Sequence, residues 1–418
     1  MRVLILNQPF YPDVVATGQH ASDLAQALVA RGHQVTVVCS ARAYDEPQRR
    51  FPSREKWNGV EIIRVAGMGF GKATKWKRAA DFASFMALCA LRVAMLPRFD
   101  VVIAMTTPPL ISVLGALLKP WKAARLLYWT MDLNPDEAIA ANYLRAGSRT
   151  ARLLQRFQKF SLKKSDAIVT LDEFMKQRVV SQLAAEGEAG DAAAERIAVI
   201  APWSHDGDVR FDRTAGDEFR ATHKLTDKFV VMYAGNHSPC HPLDTLMKAA
   251  KAMRLREDVA FVFVGGGSEH ARVAAYAKSN QLKNVRCLPY QPREKLAAVL
   301  SAADLHMVVM GDAFVGIIHP CKIYNILAIG APFLYIGPRQ SHVTALLPTL
   351  QTTQDYAYIV RSGDAPDALD AIVAAQRMAR RLPPQGAEFS SEVLLPRMIA
   401  VVESLASDAK AKAAVATA

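Results

Sequence analysis

Short apolar runs alternate with longer amphipathic stretches from the first residues onward. Val3–Leu6 is apolar, Ala21–Arg31 has helical periodicity and ends at Gly32, and Gln34–Cys39 is rich in β-branched residues. This order predicts a strand, a helix and a second strand. Because the crossover of such a βαβ unit is right-handed, the two strands are expected to lie in one parallel sheet.

The alternation continues through the first half of the chain, breaks, and then starts again. The break begins near Ala201–Asp206, and a polar stretch follows as far as Lys228. The further strands that the pattern predicts are Val60–Val65, Val101–Ala104, Arg125–Trp129, Ala167–Thr170, Phe229–Ala234, Val259–Val264, Val285–Leu288, Leu305–Met310 and Phe333–Ile336. The predicted fold class is α/β, with two Rossmann-like, doubly wound parallel-sheet domains facing a cleft. Their expected bounds are 1–203 and 204–390, followed by a closing helix and tail at 391–418.

Length and cysteine usage point to an intracellular enzyme-sized protein. A chain of 418 residues is long enough for two or three domains with ample cores. Its five cysteines are scattered and form no CxxC pair, which favours a reducing cytoplasm and disfavours a zinc site. No signal-peptide pattern opens the chain, and no apolar run has the length of a bilayer span. We therefore expect a cytoplasmic protein that does not cross a membrane.

The net charge of +12 is unevenly distributed. One basic cluster surrounds the apolar segment Phe82–Leu96 and includes Lys72, Lys75, Lys77 and Arg78, and a second runs at helical spacing from Arg145 to Lys164. Basic residues beside an apolar face are typical of surfaces that bind anionic lipid headgroups. A solvated basic face is the simpler alternative. Nucleic acid is not expected as a partner, because no RNA- or DNA-binding module is present.

The segment His319–Phe333 carries the most specific local signal for chemistry. It reads as a short apolar helix that is entered through Pro320 and Lys322, closed by Gly330, and followed by a strand. A lysine in the first turn of a helix adds its charge to N–H groups that already attract anions. The segment therefore predicts a phosphate site in a second nucleotide-binding domain. The alternative is an ordinary helix of a parallel α/β domain.

Other nucleotide-binding and metal-binding motifs are weak or missing. The chain has neither a GxGxxG nor a P-loop, which disfavours a dehydrogenase or a P-loop NTPase. Gly265–Gly267 after a predicted strand allows either close phosphate approach or a tight strand-to-helix turn. The DxD match at Asp206 and Asp208 lies in the linker between domains and is best explained by chance.

Several motifs follow one another in an order that resembles a known family. They are Thr17-Gly-Gln-His20, Arg31-Gly-His-Gln-Val35, Trp129-Thr-Met-Asp-Leu-Asn-Pro135, Asp166-Ala-Ile-Val-Thr170, Ile200-Ala-Pro-Trp203, Tyr233-Ala-Gly-Asn236, Phe261-Val-Phe-Val-Gly265, Ala303-Asp304, Pro320-Cys-Lys322 and Ala328-Ile-Gly-Ala-Pro332. Together they resemble the retaining glycosyltransferases of family 4, which have the GT-B fold. The similarity covers nearly the whole chain and is greatest to a bacterial branch with colanic-acid and O-antigen type fucosamine transferases.

The chain departs from that family's pattern at two places. Many members carry two glutamates around the donor-site helix, and the corresponding positions here are Ile317 and Asn325. The family's Arg and Lys after the first strand of the C-terminal domain fall on Asn236 and His241. An asparagine can accept one hydrogen bond through its amide oxygen, but it carries no charge. Contacts to the diphosphate and to the sugar must therefore be made differently in this protein.

The resemblance implies a nucleotide-sugar donor site in the C-terminal domain. The leaving diphosphate gains negative charge, so the site needs preorganised N–H donors and cations. Lys322 and the histidines His237 and His241 are the candidate cationic groups, since imidazoles can be protonated beside phosphate. A loop-stabilising role is the alternative for both histidines. The full set of expected donor-binding residues is Gly18, Gly235, Asn236, His237, His241, Tyr290, Gly316, Ile317, Pro320, Lys322 and Asn325.

The acceptor is expected on the N-terminal domain. Asp132, Asp136 and Glu137 follow the strand Arg125–Trp129 at its carboxyl end, where doubly wound folds place ligands. Asp132 is the candidate to accept the proton of the acceptor hydroxyl, and His241 is the second catalytic candidate. The alternative is that Asp132 or Asp136 caps the following helix. The resemblance implies no enzymic nucleophile and no cofactor, and the lack of paired carboxylates for Mg²⁺ favours a reaction without a metal.

The sequence thus predicts a retaining glycosyltransferase of the hexosyl or N-acetylhexosaminyl type. It would transfer a sugar from a nucleotide-sugar donor, UDP-linked by preference, to a lipid-linked saccharide or related acceptor in cell-surface polysaccharide or glycolipid synthesis. It would act as a peripheral protein at the inner face of the cell membrane. Two alternatives stay open, namely a nucleotide-sugar 2-epimerase on the same fold and a catalytically silent GT-B binding protein.

Overall fold

The computed structural model describes residues 1–13, 15–44, 46, 48–68, 75–204, 209–350, 355–378 and 380–417. The chain divides into two compact units. Unit 1 comprises Met1–Ala201 together with Leu394–Ala418, and unit 2 comprises Pro202–Val393. The linker residues Asp206 and Asp208 lie outside the described residues.

Unit 1 is built on an eight-stranded sheet. Its strands are β1 (Arg2–Leu6), β2 (Gln34–Ser40), β3 (Arg54–Trp57), β4 (Val60–Val65), β5 (Phe99–Ala104), β6 (Ala123–Trp129), β7 (Ala167–Thr170) and β8 (Ile197–Val199). They lie in the order β3-β4-β2-β1-β5-β6-β7-β8. All neighbouring pairs are parallel except β3 with β4. The central strands are buried apolar runs, as expected for a parallel sheet that helices cover.

The helices of unit 1 connect these strands. They are α1 (Ala16–Ala30), α2 (Lys75–Ala94), α3 (Ile111–Lys122), α4 (Asp136–Ala140), α5 (Arg149–Lys164), α6 (Glu173–Ala184) and α7 (Gly190–Glu195). One apolar cluster joins Phe85 and Cys89 of α2, Ile111 of α3 and Phe160 of α5 to the sheet residues Leu4 and Val102. These three helices therefore cover the same face of the sheet.

Unit 2 is built on a six-stranded, fully parallel sheet. Its strands, β9 (Phe229–Asn236), β10 (Val259–Gly266), β11 (Val285–Leu288), β12 (Leu305–Val309), β13 (Phe333–Ile336) and β14 (Ala357–Val360), lie in the order β11-β10-β9-β12-β13-β14. The helices are α8 (Arg213–Thr222), α9 (Asp244–Ala252), α10 (Ser268–Ser279), α11 (Leu296–Ser301), α12 (Lys322–Ala328), α13 (His342–Ala345) and α14 (Ala365–Met378). Apolar clusters line both faces of the sheet. The prediction of two parallel, doubly wound α/β units is confirmed.

The strand order of each unit reverses direction at one point. In unit 2, β9 lies between β10 and β12, so the chain leaves β9 to one side first and returns to its other side later. In unit 1, β1 lies between β2 and β5 in the same way. Ligands of doubly wound sheets bind at the carboxyl ends of the strands that flank this switch point. The two places to search for sites are therefore the ends of β9 and β12 and the ends of β1 and β5.

The last helix, α15 (Ser391–Thr417), returns to unit 1. The Glu403 carboxylate accepts hydrogen bonds from Arg31 Nη2 at 3.0 Å and from the ring of His33 at 2.9 Å, just after α1. Leu394, Met398 and Val402 on this helix are fully buried or nearly so. Residues 394–417 are thus a structural part of unit 1. Within the part of the chain that the structure describes, no helix combines the length and apolar character that a bilayer span requires.

Some element bounds differ from those that the hydrophobic pattern predicts. Helix α1 begins at Ala16 and not at Ala21. The hydrophobic pattern missed its first turn because His20 and its neighbours are polar although they are buried. Helix α8 lies in the stretch expected to be irregular. Strand β3 was also missed, because its sequence is Arg-Glu-Lys-Trp and its polar residues face solvent at the sheet edge. The Asn58-Gly59 turn, with both φ values positive, joins β3 to β4 and is the hairpin signal that the pattern contained.

Candidate functional site

The switch point of unit 2 is crossed by the loop that follows β9. The protonated Nδ1 of His241 donates a hydrogen bond to the carbonyl oxygen of Val309, the last residue of β12, at 2.7 Å. This bond ties the loop to the carboxyl end of the neighbouring strand across the reversal in strand order. The sequence-predicted residues Gly235, Asn236, His237 and His241 are therefore brought together at the expected ligand position.

His237 is fully buried in this loop. Its backbone N–H donates to the Gly266 carbonyl at 2.7 Å, and its Nδ1 contacts the Gly235 carbonyl at 2.9 Å. Because a carbonyl oxygen can only accept, Nδ1 of each of these two histidines carries the proton and Nε2 has the lone pair. The Nε2 atom of His237 is buried and has no hydrogen-bond partner among the described residues.

Lys322 reaches the same place from the first residue of α12. Its amine nitrogen lies 3.4 Å from the centroid of the Tyr233 ring on β9. Part of the side chain is exposed, but the nitrogen itself is buried and has no hydrogen-bond partner among the described residues. A Cβ atom added to Gly235 would lie 3.5 Å from this nitrogen. The lysine of the C-terminal helix and the end of β9 thus form one cluster.

Burial controls the charge of this cluster. Desolvation lowers the pKa of the Lys322 amine to about 7. Desolvation, together with the nearby Lys322 charge, lowers the pKa of His237 to about 4 and that of His241 to about 3. Both imidazoles are therefore neutral at pH 7 in the ligand-free protein, and their protonation beside a bound phosphate stays a prediction. Lys322 is the group in the cluster that can be cationic near neutral pH.

The three glycines after β10 are explained by packing against the loop after β9. Gly265 and Gly267 both have positive φ, and a Cβ on either would overlap a carbonyl oxygen, that of Gly235 or of His237 respectively. A Cβ on Gly266 would lie 2.8 Å from the Tyr290 ring, which is half exposed. The tight-turn interpretation of this Gly-rich segment accounts for the geometry. Tyr290 lies beside this segment of the candidate donor site.

The other predicted donor-binding residues, in the loop before α12 and in α12 itself, differ in how far they are exposed. Gly316 adopts a φ of +66°, and Pro320 is buried directly before the helix. Ile317 is almost fully buried, and its N–H already donates to the Phe314 carbonyl at 3.0 Å. Neither its side chain nor its N–H group is therefore free to contact a sugar. Asn325 is partly exposed one turn into α12.

The three acidic residues expected to meet the acceptor lie after β6 in unit 1, in different environments. Burial and the nearby Glu137 charge raise the pKa of Asp132 well above its usual range. The Asp136 carboxylate instead accepts hydrogen bonds from Arg178 at 3.0 Å and Gln182 at 2.8 Å, so it is bound to α6. Neither aspartate caps α4, since the residue before this helix is Pro135 and the structure shows no side-chain cap there. Asp132 is the carboxyl group with the perturbed pKa that is typical of functional sites.

Of the polar residues at the switch point of unit 1, the sequence analysis named Thr17 as part of a motif but missed Asn7, Gln8 and Thr106. Four polar side-chain oxygens there, those of Asn7, Gln8, Thr17 and Thr106, are buried and have no hydrogen-bond partner among the described residues. The backbone of Gln8 is tied to the β5 side by a 2.7 Å bond to the Thr107 carbonyl. A Cβ on Gly18 would lie 3.3 Å from the Pro9 carbonyl carbon, so α1 starts close to this loop. The available signal was the change from apolar to polar residues directly after β1 and β5.

The outer side of helices α2, α3 and α5 combines exposed apolar and basic residues. α3 packs against both other helices. Its residues Leu117 and Trp121 are 53% and 67% exposed. The remaining exposed members are Leu88 and Leu91 on α2, Met95 directly after it, and Arg152, Leu153, Arg156 and Phe157 on α5. We call this set the α2–α3–α5 face. Of the cations named from sequence, Lys72 lies outside the described residues, the side chains of Lys75 and Arg78 are not described, and Lys77 is partly buried.

Comparison with known proteins gives family matches to both units. A glycosyl transferase 4-like domain matches residues 16–203, and a glycosyl transferases group 1 domain matches residues 216–315. The second match ends before α12. The putative colanic acid biosynthesis glycosyl transferase WcaI of Escherichia coli K12 is 24% identical over 405 residues, which are 92% of this chain and 93% of that protein.

Solved structures share the whole architecture at low sequence identity. Sucrose-phosphate synthase from Thermosynechococcus elongatus has a TM-score of 0.75 at 16% identity, covering 98% of this chain and 100% of that one. HepE from Anabaena in complex with UDP-glucose has a TM-score of 0.65 at 13% identity, covering 97% and 100%. These likenesses show the fold. With the two domain matches, they show that the chain belongs to the family 4 glycosyltransferases, which have the GT-B fold.

Proposed function

We propose that this glycosyltransferase transfers a sugar from a nucleotide-sugar donor, UDP-linked by preference, with retention of configuration. The acceptor is a lipid-linked saccharide or a related molecule in cell-surface polysaccharide or glycolipid synthesis. The similarity to a protein named for colanic acid biosynthesis supports the pathway class. The similarity to HepE with bound UDP-glucose supports the donor class.

The observation that carries the donor assignment is the cluster at the switch point of unit 2. A buried amine and two histidines of a glycine-containing loop lie at the carboxyl ends of β9 and β12. This is where doubly wound domains bind nucleotides. A leaving diphosphate develops negative charge during transfer, and a preorganised cation with N–H donors stabilises it. Charge stabilisation of this kind supplies the chemistry that bond cleavage needs on the donor side.

Asp132 is the candidate group for the acceptor. A carboxyl group with a raised pKa is a stronger base than an ordinary aspartate once it loses its proton. It would accept a hydrogen bond or the proton from the attacking hydroxyl, while the departing phosphate assists on the same face of the sugar. The expected reaction needs no enzymic nucleophile and no metal.

The outer side of unit 1 supports a peripheral position on an anionic membrane. The α2–α3–α5 face presents aromatic and aliphatic side chains together with arginines. Such surfaces insert apolar groups at the headgroup boundary while their cations attract anionic lipids. A lipid-linked acceptor would reach the enzyme from that surface at the inner face of the cell membrane.

The function is tested by presenting nucleotide sugars with and without acceptors. The purified protein is screened with UDP-, ADP-, GDP- and dTDP-linked sugars for thermal stabilisation, hydrolysis and transfer to lipid-linked saccharides. We expect stabilisation by one nucleotide class and a product whose new linkage keeps the donor's anomeric configuration. An inverted linkage would contradict retention. Conversion of the UDP-sugar without an acceptor would indicate the 2-epimerase, and binding of none of these nucleotides would indicate a silent GT-B protein.

A further inference from the structure

The place after β9 where the resemblance leads one to expect two cations holds none. Asn236 and His241 occupy those positions, and His241 is neutral at pH 7 because burial and the Lys322 charge lower its pKa to about 3. The positive charge of the cluster comes instead from Lys322 on α12, beyond the region that the second domain match covers. The cationic group at the end of β9 is therefore supplied by α12 and not by the loop that follows β9.

We propose that Lys322 takes over the binding of the donor's diphosphate from these missing cations, and that Tyr233 is the positioning residue that holds its amine there. The proposal rests on the proposed function, since it assigns residues to the donor site. It adds a residue, Tyr233, that lies within a buried strand and has no contact with solvent.

The geometry of Tyr233 fits a support for the amine. Its ring faces the Lys322 nitrogen at 3.4 Å, which is within the range of a cation–π contact. Its hydroxyl donates to the Asn236 carbonyl at 2.9 Å, so the ring is fixed to the end of its own strand. The nitrogen also lies close to the backbone at Gly235, since a Cβ there would be in ordinary van der Waals contact with it at 3.5 Å. The amine is thus held at the end of β9 and not left to extend into solvent.

Among the described residues, no acidic side chain forms a hydrogen bond or an ion pair with the amine. The titratable groups that face it are Tyr233 from β9, His237 and His241 from the following loop, His306 from β12 and Cys321 from the start of its own helix. At pH 7 the pKa values of these histidines, about 4, about 3 and about 4, leave them neutral. A buried ammonium without a counter-charge is costly, so burial lowers the pKa of Lys322 to about 7. An anionic diphosphate would supply the missing charge.

Binding of the donor is therefore coupled to uptake of a proton. In the free protein the amine is about half protonated at pH 7, whereas beside a diphosphate its pKa rises and the protonated form dominates. The direction of the pH dependence of donor affinity follows from this proton uptake. Below pH 7 the amine is already charged and affinity is nearly constant. Above pH 7 the amine must take up a proton from solution when the donor binds. The affinity for the donor therefore falls by about tenfold per pH unit until the pH reaches the pKa of the amine in the complex.

Titration calorimetry with UDP-glucose, ADP-glucose and GDP-mannose from about pH 6 to about pH 9 tests this coupling. These donors carry a diphosphate whose charge is constant near neutral pH. For the probe that binds the wild type best, two buffers of different ionisation enthalpy report the proton uptake, with about half a proton expected at pH 7. Lys322→Met keeps the length of the side chain and removes the charge. We expect it to lower affinity at pH 7 by about 10- to 100-fold and to abolish the proton uptake.

The positioning role is tested with a matched pair of variants. Tyr233→Phe keeps the ring and should keep the wild-type pH profile of donor affinity. Tyr233→Leu removes the ring, so it should lower donor affinity about 3- to 30-fold and shift that profile. A folded Tyr233→Leu variant with the affinity and pH profile of the wild type overturns the positioning role, and if this variant does not fold, the Lys322→Met data still decide the role of the amine. A wild type that binds a probe without proton uptake, or a Lys322→Met variant that binds as wild type, overturns the inference and leaves the proposed function intact. A folded wild type that binds no nucleotide sugar overturns both.

Discussion

Asp132 has a carboxyl group whose pKa is raised in the folded protein. Burial and the Glu137 charge raise its pKa, so the folded state keeps a proton that the unfolded chain has lost above about pH 4. Stability should therefore fall as the pH rises from about 4 to the raised pKa, and remain low above it. Activity should rise over the same window if the ionised form accepts the acceptor's proton.

The isosteric change Asp132→Asn separates these two effects. We expect the variant to be more stable than wild type at about pH 8, by on the order of 1–2 kcal/mol, and of similar stability at about pH 4. Its kcat should be lower by about 10²–10⁴-fold at every pH. Denaturant unfolding across pH and steady-state kinetics provide the two measurements. Full activity in Asp132→Asn would assign Asp132 a structural role only.

Single residues of this site differ in how far the sequence reveals them. Lys322 is visible because it opens a helix after a proline and before a Gly330 stop, a pattern with a physical reason. Tyr233 is not visible, because an aromatic residue inside a strand usually belongs to the core. The neutrality of His237 and His241 is equally hidden, since it depends on burial and on a cation nearly a hundred residues away in sequence. Motif order locates the site, whereas its charge state requires the fold.

Helix α12 depends on the glycine that ends it. Gly330 has a φ of +62°, and its N–H and that of Ala331 donate to Leu327 and Ile326 carbonyls in the last turn. A Cβ at this position would overlap the Leu382 carbonyl oxygen. The stop signal read from the sequence thus has a second cause, a close backbone approach that no local pattern reveals.

Gly330→Ala should therefore be strongly destabilising. The left-handed backbone costs about 1–2 kcal/mol for alanine, and the steric overlap adds about 1–3 kcal/mol. Gly363→Ala in the same unit is the matched control, because Gly363 has a φ of +92° but a Cβ there meets no atom within 4 Å. The control should lose only the backbone contribution. Thermal and denaturant unfolding compare the two, and equal losses would show that the overlap is relieved by movement of the 382 segment.

Elements with strong periodicity were predicted within a few residues, whereas the short strands β3, β8 and β14 and the polar helix α8 were not. β4, β7, β11 and β13 have the bounds that the sequence indicated. β3 and β8 are short strands at the two edges of their sheet, where one side of the backbone needs no neighbour and apolar alternation is weak. α8 was hidden by its mostly polar composition, although Asp212 is a recognisable N-cap that accepts from the Ala215 N–H at 2.9 Å.

For the molecule as a whole, the outer side of unit 1 makes a prediction about membranes. Replacing Leu117 and Trp121 together by glutamate should reduce binding to liposomes with anionic lipids by about tenfold or more, because both apolar insertion and charge attraction are lost. Leu255→Glu is the matched control, since Leu255 is an exposed leucine on unit 2 with 84% exposure. Flotation of the proteins with liposomes measures the bound fraction.

A second variant tests the cations named from the sequence. Neutralising Lys72, Lys75, Lys77 and Arg78 should weaken the free energy of liposome binding by roughly 1 kcal/mol per lost charge near the surface. This loss should be smaller at high salt. The first variant removes apolar insertion on α3 and adds negative charge, whereas the second changes only the electrostatic attraction around the start of α2. Unchanged flotation of both would place the protein away from the membrane surface.

Unit 1 has a consequence for the order in which the protein is completed during synthesis. Its second segment, Leu394–Ala418, is encoded after all of unit 2, so the chain that forms the first sheet emerges early but waits for Leu394, Met398 and Val402. Unit 2 is continuous in sequence and has all of its own residues before that segment is translated. Domains that fold during translation usually finish from the N-terminus onward. Here the unit that begins first is completed last, and the surface of unit 1 that α15 covers stays exposed while unit 2 already has all of its residues.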